Sequence, residues 1–212
     1  SHELRTPLHA MMGWAQMLRS GVLSDVDARR AIDTIERNAR SQAQLIDDIL
    51  DVSRIVTGKL RLSPAETEVR PLLEAATDTL RTAAQAKGIE LDLAVDRAVG
   101  SLVVDPDRLQ QVVWNLVANA VKFTPQGGRV SVRARREPDA VTIAVEDTGK
   151  GIAPDLLPHV FERFRQGDAS LTRAYGGLGI GLALVRHLVE LHGGRVTAAS
   201  AGEGCGSLFT VW

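Results

Sequence analysis

Residues 105–123 read DPDRLQQVVWNLVANAVKF, and this stretch decides what kind of domain the chain builds. Asp105 followed by Pro106 is an N-cap and first-turn pair that opens a helix. Val112, Val113, Trp114, Leu116, Val117, Ala118, Ala120 and Val121 then make it apolar almost all round, so the helix is buried. Against that background Asn115, Asn119 and Lys122 fall at i, i+4 and i+7, a single polar stripe. Two readings account for it. The carboxamides can satisfy stray backbone groups while Lys122 snorkels to solvent. Alternatively, a carboxamide oxygen is a hard ligand suited to Mg²⁺, which takes its remaining ligands from water and substrate phosphates, and a nearby lysine would neutralise those phosphates. Three polar groups converging where packing needs none favour the second reading.

Around this helix, short strands alternate with helices. Upstream, residues 68–70 read as a short strand, 71–87 as a helix with Pro71 in its first turn, and 90–95 and 102–104 as strands. Downstream, 129–136 and 140–147 form a hairpin about Glu137-Pro138-Asp139. Residues 179–192 read as a helix stopped by Gly193-Gly194, with 195–200 and 207–212 as closing strands. The expectation is an α+β sandwich over residues 65–212, one mixed sheet with helices on one face.

Two glycine clusters lie in this region. Asp147-Thr148-Gly149-Lys150-Gly151-Ile152 ends a strand with a carboxylate, and its glycines permit a positive φ or a close backbone approach to a ligand. A carboxylate there can accept from an exocyclic amine such as adenine presents, although a turn at a hairpin end explains the pattern as well. Gly176-Gly177-Leu178-Gly179-Ile180-Gly181-Leu182 opens a helix whose free N–H groups make an anion site. It is not a Walker loop, because no Gly-Lys-Ser/Thr follows. Between the clusters, Phe161-Glu162-Arg163-Phe164-Arg165 and the polar run 166–175 read either as a lid anchored by two phenylalanines or as a plain surface loop.

The first 57 residues have a different period. Leu4, Leu8, Met11, Ala15, Leu18 and Val22 step by four and three, as do Ile32, Ile35, Ala39, Gln42, Ile46, Ile49, Ser53 and Val56. Two helices result, with a turn at 21–24 and Ser24 or Asp25 as the N-cap of the second. A two-helix hairpin cannot enclose a core of its own, so the expectation is a homodimer whose two hairpins make a four-helix bundle. The chain therefore divides into an all-α hairpin over 1–57, a connector over 58–64 and the α+β unit over 65–212. Counting back from Leu8, His2 and Thr6 fall on the outer face of the bundle. An exposed, neutral imidazole is a nitrogen nucleophile, and the adjacent Glu3 carboxylate could take the proton from its other nitrogen. An exposed helical histidine needs no function when considered alone; beside the second unit it becomes an acceptor candidate.

Composition narrows the classes. Lys and Arg total 25 against 26 Asp and Glu, so no net field draws the chain to nucleic acid. The single cysteine, Cys205, excludes an internal disulfide and any CxxC site and suits a reducing compartment. No apolar run approaches the roughly 20 residues of a membrane span, and no signal-peptide pattern opens the chain. The expected location is the cytoplasm, with any sensor domain or membrane anchor lying outside this fragment.

Together the strings resemble the catalytic core of the sensor histidine kinases of two-component signalling, over essentially the whole length. Residues 1–8 resemble the family's H box, 115–124 its N box, 147–151 its first glycine box, 161–164 its F box and 177–181 its second glycine box. The resemblance implies a dimerisation and histidine-phosphotransfer hairpin followed by a Bergerat-type ATP-binding domain, with ATP and Mg²⁺ as cofactors. It implies that His2 accepts the γ-phosphoryl group with Glu3 as base, and that Asn119 ligates Mg²⁺ with Asn115 beside it. Lys122 would meet phosphate, and Asp147 would hold the adenine amine. Phe123, Gly149, Gly151, Ile152, Phe161, Arg165, Gly177, Leu178, Gly179, Gly181 and Leu182 would complete the nucleotide contacts. The phosphoryl group would pass to an aspartate of a response regulator's receiver domain, docked on Met12, Gln16 and Arg19. Thr6 would serve the reverse, phosphatase reaction. Two departures stand out: Arg165-Gln166 replaces the aromatic-Arg pair of many members, and Leu178 replaces a small hydroxyl residue. The alternative is a nucleotide-binding scaffold, or a phosphatase, without autokinase activity.

Overall fold

The computed structural model describes residues 2–162 and 179–212. Helix α1 (His2–Ser20) turns through residues 21–24 into α2 (Asp25–Val56). Ser24 caps α2, its Oγ accepting the Asp27 N–H at 3.2 Å, which settles the choice between Ser24 and Asp25. Pro7 lies inside α1 and removes the N–H that would bond to the carbonyl four residues back. Along the hairpin the two helices cover one strip of each other. Ala31 is fully buried, whereas Met12, Val22, Val26, Ile32, Ile46 and Leu50 are exposed on the hairpin.

The second unit contains β1 (Ala65–Glu68), α3 (Val69–Ala86), β2 (Glu90–Val95), β3 (Ser101–Val104), α4 (Pro106–Phe123), β4 (Arg129–Arg136), β5 (Val141–Asp147), α5 (Gly181–Leu191), β6 (Val196–Ala199) and β7 (Ser207–Val211). Five strands form one sheet in the order β2-β4-β5-β7-β6. β2 and β4 are parallel and the other pairs antiparallel. Val130, Val132, Ile143, Val145, Phe209 and Val211 alternate onto the face that meets Leu73, Val113, Leu116, Leu184 and Leu188 of the three helices. At the β2 edge, Arg129 is held above its ordinary pKa by its hydrogen bond to Glu90, 2.9 Å, and by that carboxylate's charge. This exposed pair contributes little to stability.

The expected single sheet needs correction. β1 and β3 pair antiparallel as a separate two-stranded sheet. The β1 sequence, Ala-Glu-Thr-Glu, has no apolar face to offer the core, and Val103 of β3 is 75% exposed. The strand expected at 68–70 also lies earlier, because fully buried Val69 already begins α3. Pro71 remains in that helix's first turn, where its missing N–H costs nothing.

The end of α2 and the connector are fastened to the second unit. Ile55 and Leu60 join its hydrophobic core. The Ser63 N–H donates to Asp105 Oδ2 at 2.8 Å. Asp51 of α2, 4% exposed, accepts from Arg108 Nη1 at 2.6 Å and from Gln111 Nε2 at 3.0 Å, both on α4.

Candidate functional site

The polar stripe of α4 faces the start of α5. Asn115 is buried, and its Nδ2 donates to the Gln111 carbonyl at 3.0 Å within the helix, as the first of the two sequence readings describes. Its Oδ1 is left facing Gly181, where an added Cβ would stand 2.9 Å from it. Gly181 is thus a close-approach glycine, and the carboxamide oxygen is held open by its missing side chain. Asn119, one turn on, is half-buried, and none of the described hydrogen bonds involves its carboxamide. At the helix end, the ammonium groups of Lys122 and Lys150 stand 4.9 and 4.3 Å from the centroid of the Phe123 ring. Two cations gathered on one ring create a positive corner suited to a polyphosphate.

The loop after β5 closes against this corner. Phe123 O accepts the Lys150 N–H at 3.1 Å. A Cβ on Gly149 would fall 2.7 Å from that same carbonyl oxygen and 2.5 Å from Asp147 Oδ1, so no side chain fits there. Gly151 has φ +70°, and a Cβ on it would run into the Gly202 carbonyl oxygen. Asp147 is buried, with Oδ1 accepting the Gly149 N–H at 2.7 Å and Oδ2 accepting from Ser207 Oγ. Both oxygens are fixed in direction while each keeps a lone pair for a further donor. The Ile152 N–H donates to Ser200 Oγ at 3.0 Å, tying the loop to the 200–206 turn.

Phe161 packs edge-to-face on Phe209 with centroids 6.2 Å apart. It joins Ile152 and Leu182 in packing against the core. Gly179 has φ +66°, and α5 begins with no side-chain cap, leaving its first N–H groups available to an anion. Arg165, Gly177 and Leu178 lie outside the described residues. So do the side chains of His2 and Glu3, whose backbone forms the start of α1. Thr6 is exposed on α1. The structure thus assembles Asn115 with Gly181, Lys122 with Phe123, and Phe123 with the Gly149–Gly151 loop, while Thr6 stands on the hairpin, joined to this unit through α2.

Three residues of the corner were missed in the sequence. Ser207 lies opposite Asp147 in the β5–β7 register, a pairing across sixty positions with no local signal. Ser200 is likewise brought in from a distant turn. Lys150 was visible as the cation between two glycines. His192 has a structural part, its Nδ1 facing the Leu188 carbonyl at 2.8 Å and its Nε2 accepting the Asp105 N–H at 3.1 Å. A separate cleft of about 450 Å³ opens at the hairpin junction among Asp47, Asp51, Arg54, Arg108 and Trp114, away from the Asp147 corner.

Residues 104–212 match the family model described as histidine kinase-, DNA gyrase B-, and HSP90-like ATPase, and residues 1–58 match the His Kinase A (phospho-acceptor) domain. Hybrid signal transduction histidine kinase D of Dictyostelium discoideum is 38% identical over 100% of this chain and 17% of its own length. Circadian input-output histidine kinase CikA of Synechococcus elongatus is 40% identical over 100% of this chain and 28% of its own. The chain therefore spans less than a third of either relative. Among solved structures, full-length ShkA in complex with AMPPNP superposes with a TM-score of 0.74 at 32% identity, covering 99% of this chain and 43% of that one. The Acinetobacter baumannii histidine kinase AdeS gives a TM-score of 0.74 over 100% of this chain and 96% of its own; at 21% identity it bears on the fold alone. With an ATPase match over its second half, a phospho-acceptor match over its first and histidine kinases on both sides of the comparison, the chain belongs to the sensor histidine kinases and has the form of their catalytic core.

Proposed function

We propose that the chain is an autokinase that transfers the γ-phosphoryl group of ATP to His2 and then to an aspartate of a response-regulator receiver domain. The observation that supports it best is the presence, in one chain, of a phospho-acceptor match containing His2 and an ATPase-family unit whose buried Asp147, glycine loop and lysine corner suit adenine at one end and phosphates at the other. One imidazole nitrogen of His2 attacks the γ-phosphorus, the bond to the β-phosphate oxygen breaks, and ADP leaves. Glu3 accepts the proton from the other ring nitrogen. Asp147 holds the adenine amine, Lys122 meets phosphate, and the first N–H groups of α5 face the anion. Catalysis of this kind is chiefly positioning and charge neutralisation.

Mg²⁺ suits the residues present: Asn119 offers a hard carboxamide oxygen that the described hydrogen bonds do not use, with Asn115 Oδ1 on the same face. Held there, the ion would supply positive charge that offsets the charge of the phosphates. A second copy of the chain would cover Val26, Ile32, Ile46 and Leu50, making the hairpins a four-helix bundle. The receiver domain would dock on Met12, Gln16 and Arg19, which are all exposed on α1, and Thr6 would support the phosphatase reaction. Incubation with γ-labelled ATP should give an acid-labile, base-stable phosphoprotein, and His2→Gln should abolish the label. Label that survives this substitution refutes the assignment, and nucleotide binding without any label makes the chain a scaffold.

A further inference from the structure

We propose that Lys87 is a positioning residue for the nucleotide's phosphates, an inference that rests on the ATP-binding reading above. Lys87 is the C-cap of α3, and its half-buried side chain crosses to the end of α4. Nζ donates to the carbonyls of Val121 at 2.8 Å, Lys122 at 3.1 Å and Thr124 at 2.9 Å. An ammonium has three donors, so all are engaged. The one carbonyl skipped in that run, Phe123 O, takes the Lys150 N–H instead. The hold is reciprocal, because Lys87 O accepts the Gly127 N–H at 3.2 Å.

Two consequences follow from this placement. The last carbonyls of a helix have no partner within it and carry its partial negative charge. α4 turns that negative end toward the corner where Lys122 and Lys150 gather, and a triphosphate brought there would be repelled by it. Lys87 offsets this charge from behind, without occupying the corner itself. It also fixes the backbone of residue 122, from which the Lys122 side chain reaches forward, and the flanks of Phe123, whose carbonyl sets the Gly149–Gly151 loop. Among the described residues Lys87 has no carboxylate partner within salt-bridge distance to compete with these carbonyls.

This charge effect separates positioning from mere capping. A cap that only stabilises the fold would affect ATP and adenosine alike, whereas an offset to the negative helix end concerns the phosphates. Lys87→Met, which keeps the aliphatic stem, should raise the dissociation constant for ATP about 5- to 20-fold while moving that for adenosine less than about threefold, measured by titration calorimetry well below the thermal midpoint. Lys87→Arg should restore ATP affinity to within about threefold of wild type. Lys87→Gln, with a donor but no charge, reads the same difference should Lys87→Met not fold. Equal losses for the two ligands, unchanged ATP affinity, or failure of Lys87→Arg to rescue would each overturn the inference. Wild-type protein that binds no ATP would remove the nucleotide reading and this inference with it; wild type that binds while Lys87→Met binds equally removes this inference alone.

Discussion

Removing the Asp51 carboxylate should loosen the ATPase unit from the hairpin. The Asp51 side chain is 6% exposed and pairs with Arg108, 22% exposed, at 2.6 Å. The neighbouring Arg54 lies 3.7 Å from its other oxygen. In Asp51→Ala the Arg108 guanidinium keeps only Gln111 Oε1, at 2.8 Å, and the Gln111 amide loses its acceptor. Breaking a fully buried pair costs about 3–5 kcal/mol. Partial access of Arg108 to water and its surviving bond to Gln111 bring the expected cost to about 2–3 kcal/mol. That corresponds to an increase of about 30- to 150-fold in the detached population.

Trypsin can read this population. Lys59 and Arg61 flank buried Leu60 in the connector, two residues ahead of the Ser63 amide that Asp105 holds. A protease must detach that segment to cleave it, and the rate follows the open fraction when opening is fast. Cleavage after Lys59 and Arg61, quantified by mass spectrometry, should accelerate by about 30- to 150-fold in Asp51→Ala. Arg108→Ala should do likewise, and the double variant should be little worse than either, a coupling of about 2 kcal/mol. Cleavage of Asp51→Ala within threefold of wild type, or strictly additive effects in the double variant, would refute the idea that this pair carries the docking.

Other expectations concern the site and the hairpin. Asn119→Ala should abolish Mg²⁺-dependent labelling with ATP while the thermal midpoint stays near that of wild type, because none of the described hydrogen bonds uses this side chain; wild-type labelling would remove the metal assignment. Gly151→Ala forces a side chain onto a φ of +70° and into the Gly202 carbonyl, and should destabilise the unit by about 2–4 kcal/mol. An unchanged denaturation midpoint would contradict that clash. Ile32→Glu with Ile46→Glu places carboxylates on the uncovered hairpin face, 55% and 47% exposed in the single chain. Sedimentation should show a monomer, and a persistent dimer would place the partner elsewhere.

What could be read in the sequence was local. Asp105 and Pro106 announce the start of α4 because capping and a fixed φ act within one turn, and Asp105 does cap it, its Oδ1 accepting the Arg108 N–H at 3.1 Å. The 129–136 strand is found at those bounds because Val130, Val132 and Ala134 alternate inward. Strand pairing is another matter. The polar Ala-Glu-Thr-Glu of residues 65–68 disfavours a place in the main sheet, but its antiparallel pairing with residues 101–104 spans more than thirty positions and has no local signal. Ser207 is invisible for the same reason: it matters only through its register with Asp147. Lys87 resembles any lysine at the end of a surface helix until α4 is laid beside it.

The polar stripe on α4 is longer than the sequence reading made it. Arg108 and Gln111 continue it toward the N-terminus, since positions 108, 111, 115, 119 and 122 share one face at helical spacing. Read from Asn115 onward, the stripe suggests only a ligand; read from Arg108, its first two members hold Asp51 of the hairpin. Between Arg108 and Asn119 the helix rises about 16 Å, and its other faces are packed into the core. The hairpin therefore grips one end of a buried rod, while Lys87 and the Gly149–Gly151 loop grip the other. A rod so held moves as a piece, because close-packed interiors shift between discrete arrangements and do not bend continuously. Any displacement of α2 relative to the ATPase unit must then either break the Asp51 contacts or carry Asn115, Asn119 and Lys122 along with it.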